Sequence, residues 1–271
     1  MESAANFVQN SKAISYRFAR KEGQWYLFAT VERPEVPYQS HRHNGALGVD
    51  LNPGCVGWAY CDADGNLKAS GQFAINLQDK STAQTKAILS DACASLVMLA
   101  QTYECSIVVE SLDFDRKKAS MREQGVRYSR MLSNFAYGLF DTMLSSRCER
   151  FGSELIRINP AYSSQIGLVK FMAMYGMNSA TAAAFVLLRR ALQKSERIPA
   201  RYALCLPVDN HKHAWSFWNV LKKKLVGVRG VRRHDFFNLR AANSRIKVTL
   251  LDELASVDRC NGKSKGTLIC R

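Results

Sequence analysis

A carboxylate inside what otherwise reads as a buried strand constrains this chain more than any other feature. In Gly45-Ala46-Leu47-Gly48-Val49-Asp50-Leu51, apolar residues lead into Asp50, and Asn52-Pro53-Gly54 then forces a turn. Val56, Trp58 and Tyr60 alternate through a second strand. Asp64-Gly65 supplies a type I′ hairpin signal, and Leu67 to Phe73 returns as a third strand. A charged group at the centre of such a meander is costly to bury unless something pairs with it. A metal ion is the natural partner.

Further strands and helices follow in an order that suits a sheet covered on both faces. Thr82 to Tyr103 reads as a helix, with Ile88, Leu89, Ala92, Leu96 and Leu99 forming one apolar stripe. Ser106 to Leu112 is a short apolar strand with Glu110 near its end, where ligands bind in open α/β sheets. Taken alone, Glu110 reads equally well as a solvated strand-end acid. Met131 to Arg150 is an amphipathic helix, with Leu132, Phe135, Leu139, Met143 and Leu144 on its inner side, and Glu154 to Ile158 is another core strand, stopped at Asn159-Pro160. Upstream, Lys12 to Val31 alternates on both sides of Glu22-Gly23 and reads as a β-hairpin. Pro34 to Asn44 is a polar linker, where His41 and His43 are read as exposed histidines before metal ligands.

These segments carry a resemblance. Gly48-Val49-Asp50-Leu51-Asn52, with Gly57 and the hairpin behind it, resembles the first motif of RuvC-like nucleases of the RNase H superfamily. More narrowly it resembles the TnpB (OrfB) family encoded by bacterial insertion sequences, relatives of type V CRISPR effectors. Gly-Val-Asp also opens the meander of sugar kinases and actin-like ATPases, but no Gly-rich phosphate segment accompanies it here. The strand ending in Glu110, with Asp113 three residues on, is similar to the second motif of the family. Asn159-Pro160-Ala161-Tyr162-Ser163-Ser164-Gln165 is similar to its Asp/Asn-Pro-x-Tyr-(Ser/Thr)-Ser-Gln segment and is the most specific match in the chain.

The resemblance implies an α/β fold, an RNase H-like (RuvC-like) mixed sheet flanked by helices, over residues 45–200. Residues 1–44 would hold a β-hairpin remnant of a guide-binding domain and its linker, and 201–271 a basic C-terminal extension. Asp50 and Glu110 would be catalytic, as ligands of Mg²⁺ or Mn²⁺. DNA and a guide RNA would be partners, and the chain would be the C-terminal part of such a protein, with the N-terminal part on another chain.

Two departures weigh on that expectation. The family's paired Cys-x-x-Cys zinc ligands are replaced by a Met- and aromatic-rich stretch, Ile166 to Met177, so no zinc is expected. The third catalytic acid, expected at the start of the next helix, is Ala180. Glu196 and Asp209 are the candidates to replace it. Two functions follow: an impaired metal-dependent, RNA-guided DNA endonuclease, or a nuclease-dead RNA- and DNA-binding module with a role in transposition or regulation.

Charge points to the same partners. Lys and Arg total 38 against 23 Asp and Glu, for a net charge of +15, which favours a polyanion. Arg116, Lys117, Lys118, Arg122, Arg127 and Arg130 form one basic run. Arg189 and Arg190 end the helix that begins near Ala180. Lys222, Lys223 and Lys224, then Arg232 and Arg233, follow Trp215, Phe217 and Trp218. Such interleaving suits an arm with cations on phosphates and rings on bases, or a peripheral helix packed by its tryptophans. Eight scattered cysteines without Cys-x-x-Cys spacing suggest a reducing, cytoplasmic setting. No signal-like segment and no apolar run of membrane-spanning length is read.

Overall fold

The computed structural model describes residues 14–31, 35–52, 54–77, 79–111, 134–199 and 213–227. The chain divides into two compact units, 1–37 and 38–271.

In the first unit, β1 (Ile14–Lys21) pairs antiparallel with β2 (Gln24–Val31), Lys21 standing opposite Gln24. Glu22 and Gly23 both have positive φ, 50° and 82°, as a two-residue type I′ turn requires. Tyr16, Phe18, Trp25 and Leu27 lie on one face of the hairpin and are exposed.

The second unit is built on a five-stranded sheet in the order β5-β4-β3-β6-β7. Its strands are β3 (Ala46–Leu51), β4 (Cys55–Cys61), β5 (Leu67–Ala74), β6 (Ser106–Glu110) and β7 (Leu155–Ile158). The first three are antiparallel, and β6 and β7 join parallel. This mixed sheet flanked by helices is the RNase H-like arrangement. All six residues of β3 are buried, because helices cover both faces of the sheet.

On one face, Leu47, Val49, Leu51, Ile107 and Val109 pack against α1 (Thr82–Thr102) and α2 (Asn134–Phe151). Ser81 and Gln84 close a capping box at the start of α1, satisfying two N–H groups that the helix leaves free. Within α2 the residues facing inward are Ala136, Tyr137, Phe140, Leu144 and Cys148, while Leu139 and Met143 are only partly buried. On the other face, Ala46, Ala59 and Val108 pack against α4 (Ser179–Ala191), through Ala182, Ala184, Phe185 and Leu188.

Glycine and alanine set how closely α4 approaches. A Cβ on Gly48 would fall 2.1 Å from the Ala184 carbonyl oxygen, and one on Gly57 would fall 2.6 Å from the Ala180 carbonyl carbon. Only residues without a side chain let backbone lie on backbone here.

Several elements differ from expectation. The β4–β5 connection is not a type I′ turn: the Gly65 N–H donates to the Asp62 carbonyl, and φ is positive at Gly65 (82°) but not at Asp64. That is a type I turn closed by a left-handed glycine, which the dipeptide alone does not distinguish. β7 is half-buried rather than core, because it is the sheet's edge. The Met- and aromatic-rich stretch is helical, α3 (Ser163–Tyr175), with a π turn over Gly167–Phe171. Finally, α5 (Ala214–Gly227) turns its rings inward. Trp218 is 0% exposed and donates its Nε1–H to the Glu196 carbonyl at 2.7 Å. Of the two readings of Trp215 to Trp218, the packed helix is the one formed.

Burial pushes the thiols of Cys61, Cys93, Cys105 and Cys148 up to about 12. They serve as small apolar side chains. Among the described residues no single helix is long and apolar enough to cross a membrane.

Candidate active site

Register places the two acids on neighbouring strands. β3 and β6 pair as Ala46 with Ser106, Leu47 with Ile107 and Gly48 with Val108. Asp50 and Glu110 lie two residues beyond the last of these pairs, near the ends of the two neighbouring strands. Alternation puts Asp50 on the face of Gly48, which is the α4 face, while Glu110 borders a small cavity with Val49, Leu51, Tyr137 and Asp141 on the other face.

Across the antiparallel side, Asp50 stands opposite Gly57, and Gly57 opposite Gln72. Gln72, Gly57 and Asp50 therefore form one row across three strands. Asp50 is 9% exposed, and its Oδ2 accepts a 2.6 Å hydrogen bond from the Asn52 side chain.

The N-terminus of α4 lies over this row. Asn178 caps it, its Oδ1 accepting from the Thr181 N–H at 2.9 Å, and its Nδ2 donates to Gln72 Oε1 at 2.9 Å. Ala180 sits on Gly57: a Cβ built there would be 2.7 Å from the Ala180 methyl. The position where the resemblance expects a third acid thus holds a methyl group against Gly57, the residue paired with Asp50.

Beneath the row, on the opposite face, the Tyr137 hydroxyl donates to the Leu51 carbonyl at 2.7 Å and fixes the strand end that carries Asp50. Asp141 reaches the same strand end from α2, where Arg157 holds it through contacts of 3.1 and 3.2 Å. Cys55 opens β4, and its thiol is raised first by burial and then by the Asp50 charge.

Two divalent ions need clustered hard oxygen ligands. Among the described residues, no three His, Cys, Asp or Glu side chains come together. Asp50 also spends one oxygen on Asn52. The donors among the described residues do not by themselves make up a two-ion centre.

Glu196 does not complete it. It lies beyond the other end of α4, 7% exposed, with its carboxylate bound by Lys170 and Arg189. Asp209 lies outside the described residues.

The basic residues divide three ways. Arg189 binds Glu196 and the Gly65 carbonyl and lies over the Phe171 and Phe185 rings. Arg190 donates to the carbonyls of Asn159 and Ala161, the latter at 2.8 Å. Both are engaged in holding the fold, which a pair of arginines at a helix end does not disclose. Lys222 is exposed on α5, and Lys223 and Lys224 belong to the same helix. Arg116, Lys117, Lys118, Arg122, Arg127, Arg130, Arg232 and Arg233 lie outside the described residues, as does Asp113.

Sequence reasoning gave Asn52 only as part of a turn and of the first motif, and did not single out Gln72 or its pairing with Asn178. Asn52 shares the parity of Asp50 and was legible on that ground; the Gln72–Asn178 pair spans 106 residues and was not.

No family model and no curated protein matches the sequence. Among solved structures, the chain is similar to T. thermophilus RuvC in complex with a Holliday junction substrate, with a TM-score of 0.39 and 12% identity over 53% of this chain and 88% of that one. It is also similar to Cas12f1 in a complex with sgRNA and target DNA, with a TM-score of 0.40 and 10% identity over 64% of this chain and 55% of that one. The fold assignment rests on the strand order and pairing described above.

Proposed function

We propose that this chain is the RuvC-like part of a TnpB-type, transposase-associated protein that binds DNA and RNA and whose own cleavage activity is impaired. The observation that carries the reading is the Ala180 methyl against Gly57, beside Asp50. On this reading Ala180 stands where a third ligand would, and it supplies none. Asp50 and Glu110, on neighbouring strands, are the candidate ligands, and the Asn52 amide donates to Asp50. Binding rests on the excess of cations, +15 in all. With about six phosphate contacts, affinity for DNA falls roughly 10³-fold between 50 and 200 mM salt.

The test is cleavage of end-labelled single- and double-stranded DNA with Mg²⁺ and Mn²⁺. The unmodified chain should cut at or near background. Ala180→Asp should raise cutting at least tenfold, and adding Asp50→Ala should abolish that gain. Robust cutting by the unmodified chain that disappears in Asp50→Ala would refute the impaired reading and assign an acid outside the described residues, with Asp209 the first to test. A chain that stays silent as Ala180→Asp yet binds nucleic acid supports the second reading, a module kept for binding alone.

A further inference from the structure

At the far end of α4 from the Asp50 row, a cavity of about 200 Å³ is lined by residues that include Arg190, Lys194, Ser195, Glu196, His213 and Trp215. Ala180 and Arg189 are nine residues apart, about 14 Å along the helix axis at 1.5 Å per residue. The cavity is a separate place, and it stands whether or not the Asp50 row cleaves anything.

Its charge is unbalanced. Glu196 supplies the one carboxylate, already shared by Lys170 and Arg189. Arg190 and Lys194 add two more cations, and neither has an ion-pair partner within 4.0 Å among the described residues. Counting Lys170 and Arg189, which bind Glu196 without lining the cavity, four cations face one carboxylate among the described residues. The C-terminal end of the α4 dipole offsets about half a charge of the excess. Partly buried surplus charge of this size is costly without a counter-charge. Burial indeed pulls the Arg190 guanidinium below its usual value.

The donors are also left over. Arg190 uses two N–H groups on the carbonyls of Asn159 and Ala161, leaving three of its five. Its guanidinium is fixed by those bonds and by the Trp215 ring, 5.0 Å away, so it loses little entropy on engaging a ligand. Lys194 and Ser195 line the same cavity.

We propose that this cavity is a phosphate-binding pocket that takes the phosphate group of a nucleotide, either free or at the end of a strand. A phosphate matches a rigid guanidinium fork with a neighbouring ammonium and hydroxyl. The volume is below the roughly 300–1,000 Å³ of sites that enclose drug-sized ligands, which limits the occupant to one phosphate and part of what it is attached to. Trp215 supplies an apolar wall for that remainder.

The experiment is calorimetric titration of the intact chain with inorganic phosphate, 5′-AMP, the dinucleotide ApA and its 5′-phosphorylated form pApA. At least one phosphate monoester should bind tenfold or more tightly than ApA. Lys194→Gln should reduce that binding about tenfold, and Lys194→Arg should restore most of it. Lys68→Gln removes the same charge from an exposed site paired with Asp62 and should leave binding unchanged. Tight binding of pApA alone assigns the pocket to a strand end; equal binding of phosphate or AMP assigns it to the free species. The proposal is overturned if ApA binds as well as pApA and AMP, or if Lys194→Gln binds like the unmodified chain. Should Lys194→Gln not fold, Ser195→Ala takes its place, with a smaller loss expected and no loss again overturning the pocket.

Discussion

Ala180→Asp changes stability as well as activity, and its stability effect can be worked out from the geometry. The new carboxylate would stand on strand β4, one strand away from Asp50. Two like charges about 6 Å apart at an effective dielectric of ~20 repel by roughly 3 kcal/mol. The N-terminus of α4 returns about 0.3–1 kcal/mol, because the residue falls in the helix's first turn. Without divalent ions the variant should therefore be less stable by about 2 kcal/mol at neutral pH, or roughly 4–8 °C in Tm for a chain of this size. A third ligand beside Asp50 and Glu110 should then bind Mg²⁺. At a concentration a hundredfold above Kd, binding stabilises by about 2.7 kcal/mol, enough to recover the loss. The assay is thermal unfolding of both chains with and without Mg²⁺ or Mn²⁺. The unmodified chain should shift little, and the variant should gain several degrees. Equal shifts in both chains, or none in the variant, would refute the geometry assigned to Ala180.

Three further outcomes follow from the packing and the charges. Gly48→Ala places a Cβ 2.1 Å from the Ala184 carbonyl oxygen, a backbone clash that no rotamer relieves, so it should cost at least about 3 kcal/mol in urea unfolding. Trp218→Ala should cost about 3–5 kcal/mol. Trp218→Phe should cost less, about 1–3 kcal/mol, chiefly from leaving the Glu196 carbonyl without its donor. Asp62 is held down to about 2, first by the Asn66 backbone N–H and then by Lys68. A depressed carboxylate contributes stability that is present above its unfolded value of 3.8 and lost as pH falls through its folded value. Asp62→Asn should accordingly flatten the loss of stability between pH 3.8 and about 2 in an acid titration followed by circular dichroism.

The sheet was legible in the sequence because its signals are local. The alternation through Leu47 and Val49, the turn at Asn52-Pro53-Gly54 and the apolar strand ending in Glu110 each fix an element within a few residues. Asp50 and Glu110 stood out for the same reason, as charges where a buried strand should have none. Ala180 was legible only as a departure from a motif, since a methyl carries no signal of its own.

Other features belonged to the tertiary structure alone. That Ala180 lies on Gly57 is decided by a helix and a strand more than 120 residues apart in sequence. Arg189, Arg190 and Glu196 looked like surface or catalytic charges, because a side chain's partners depend on what folds against it. Trp218 read equally well as an arm for bases or as core, since amphipathic helices look alike whether they face a partner or their own domain. The residue types set which chemistry was available, and long-range packing decided which charges were consumed by the fold and which remained for a ligand.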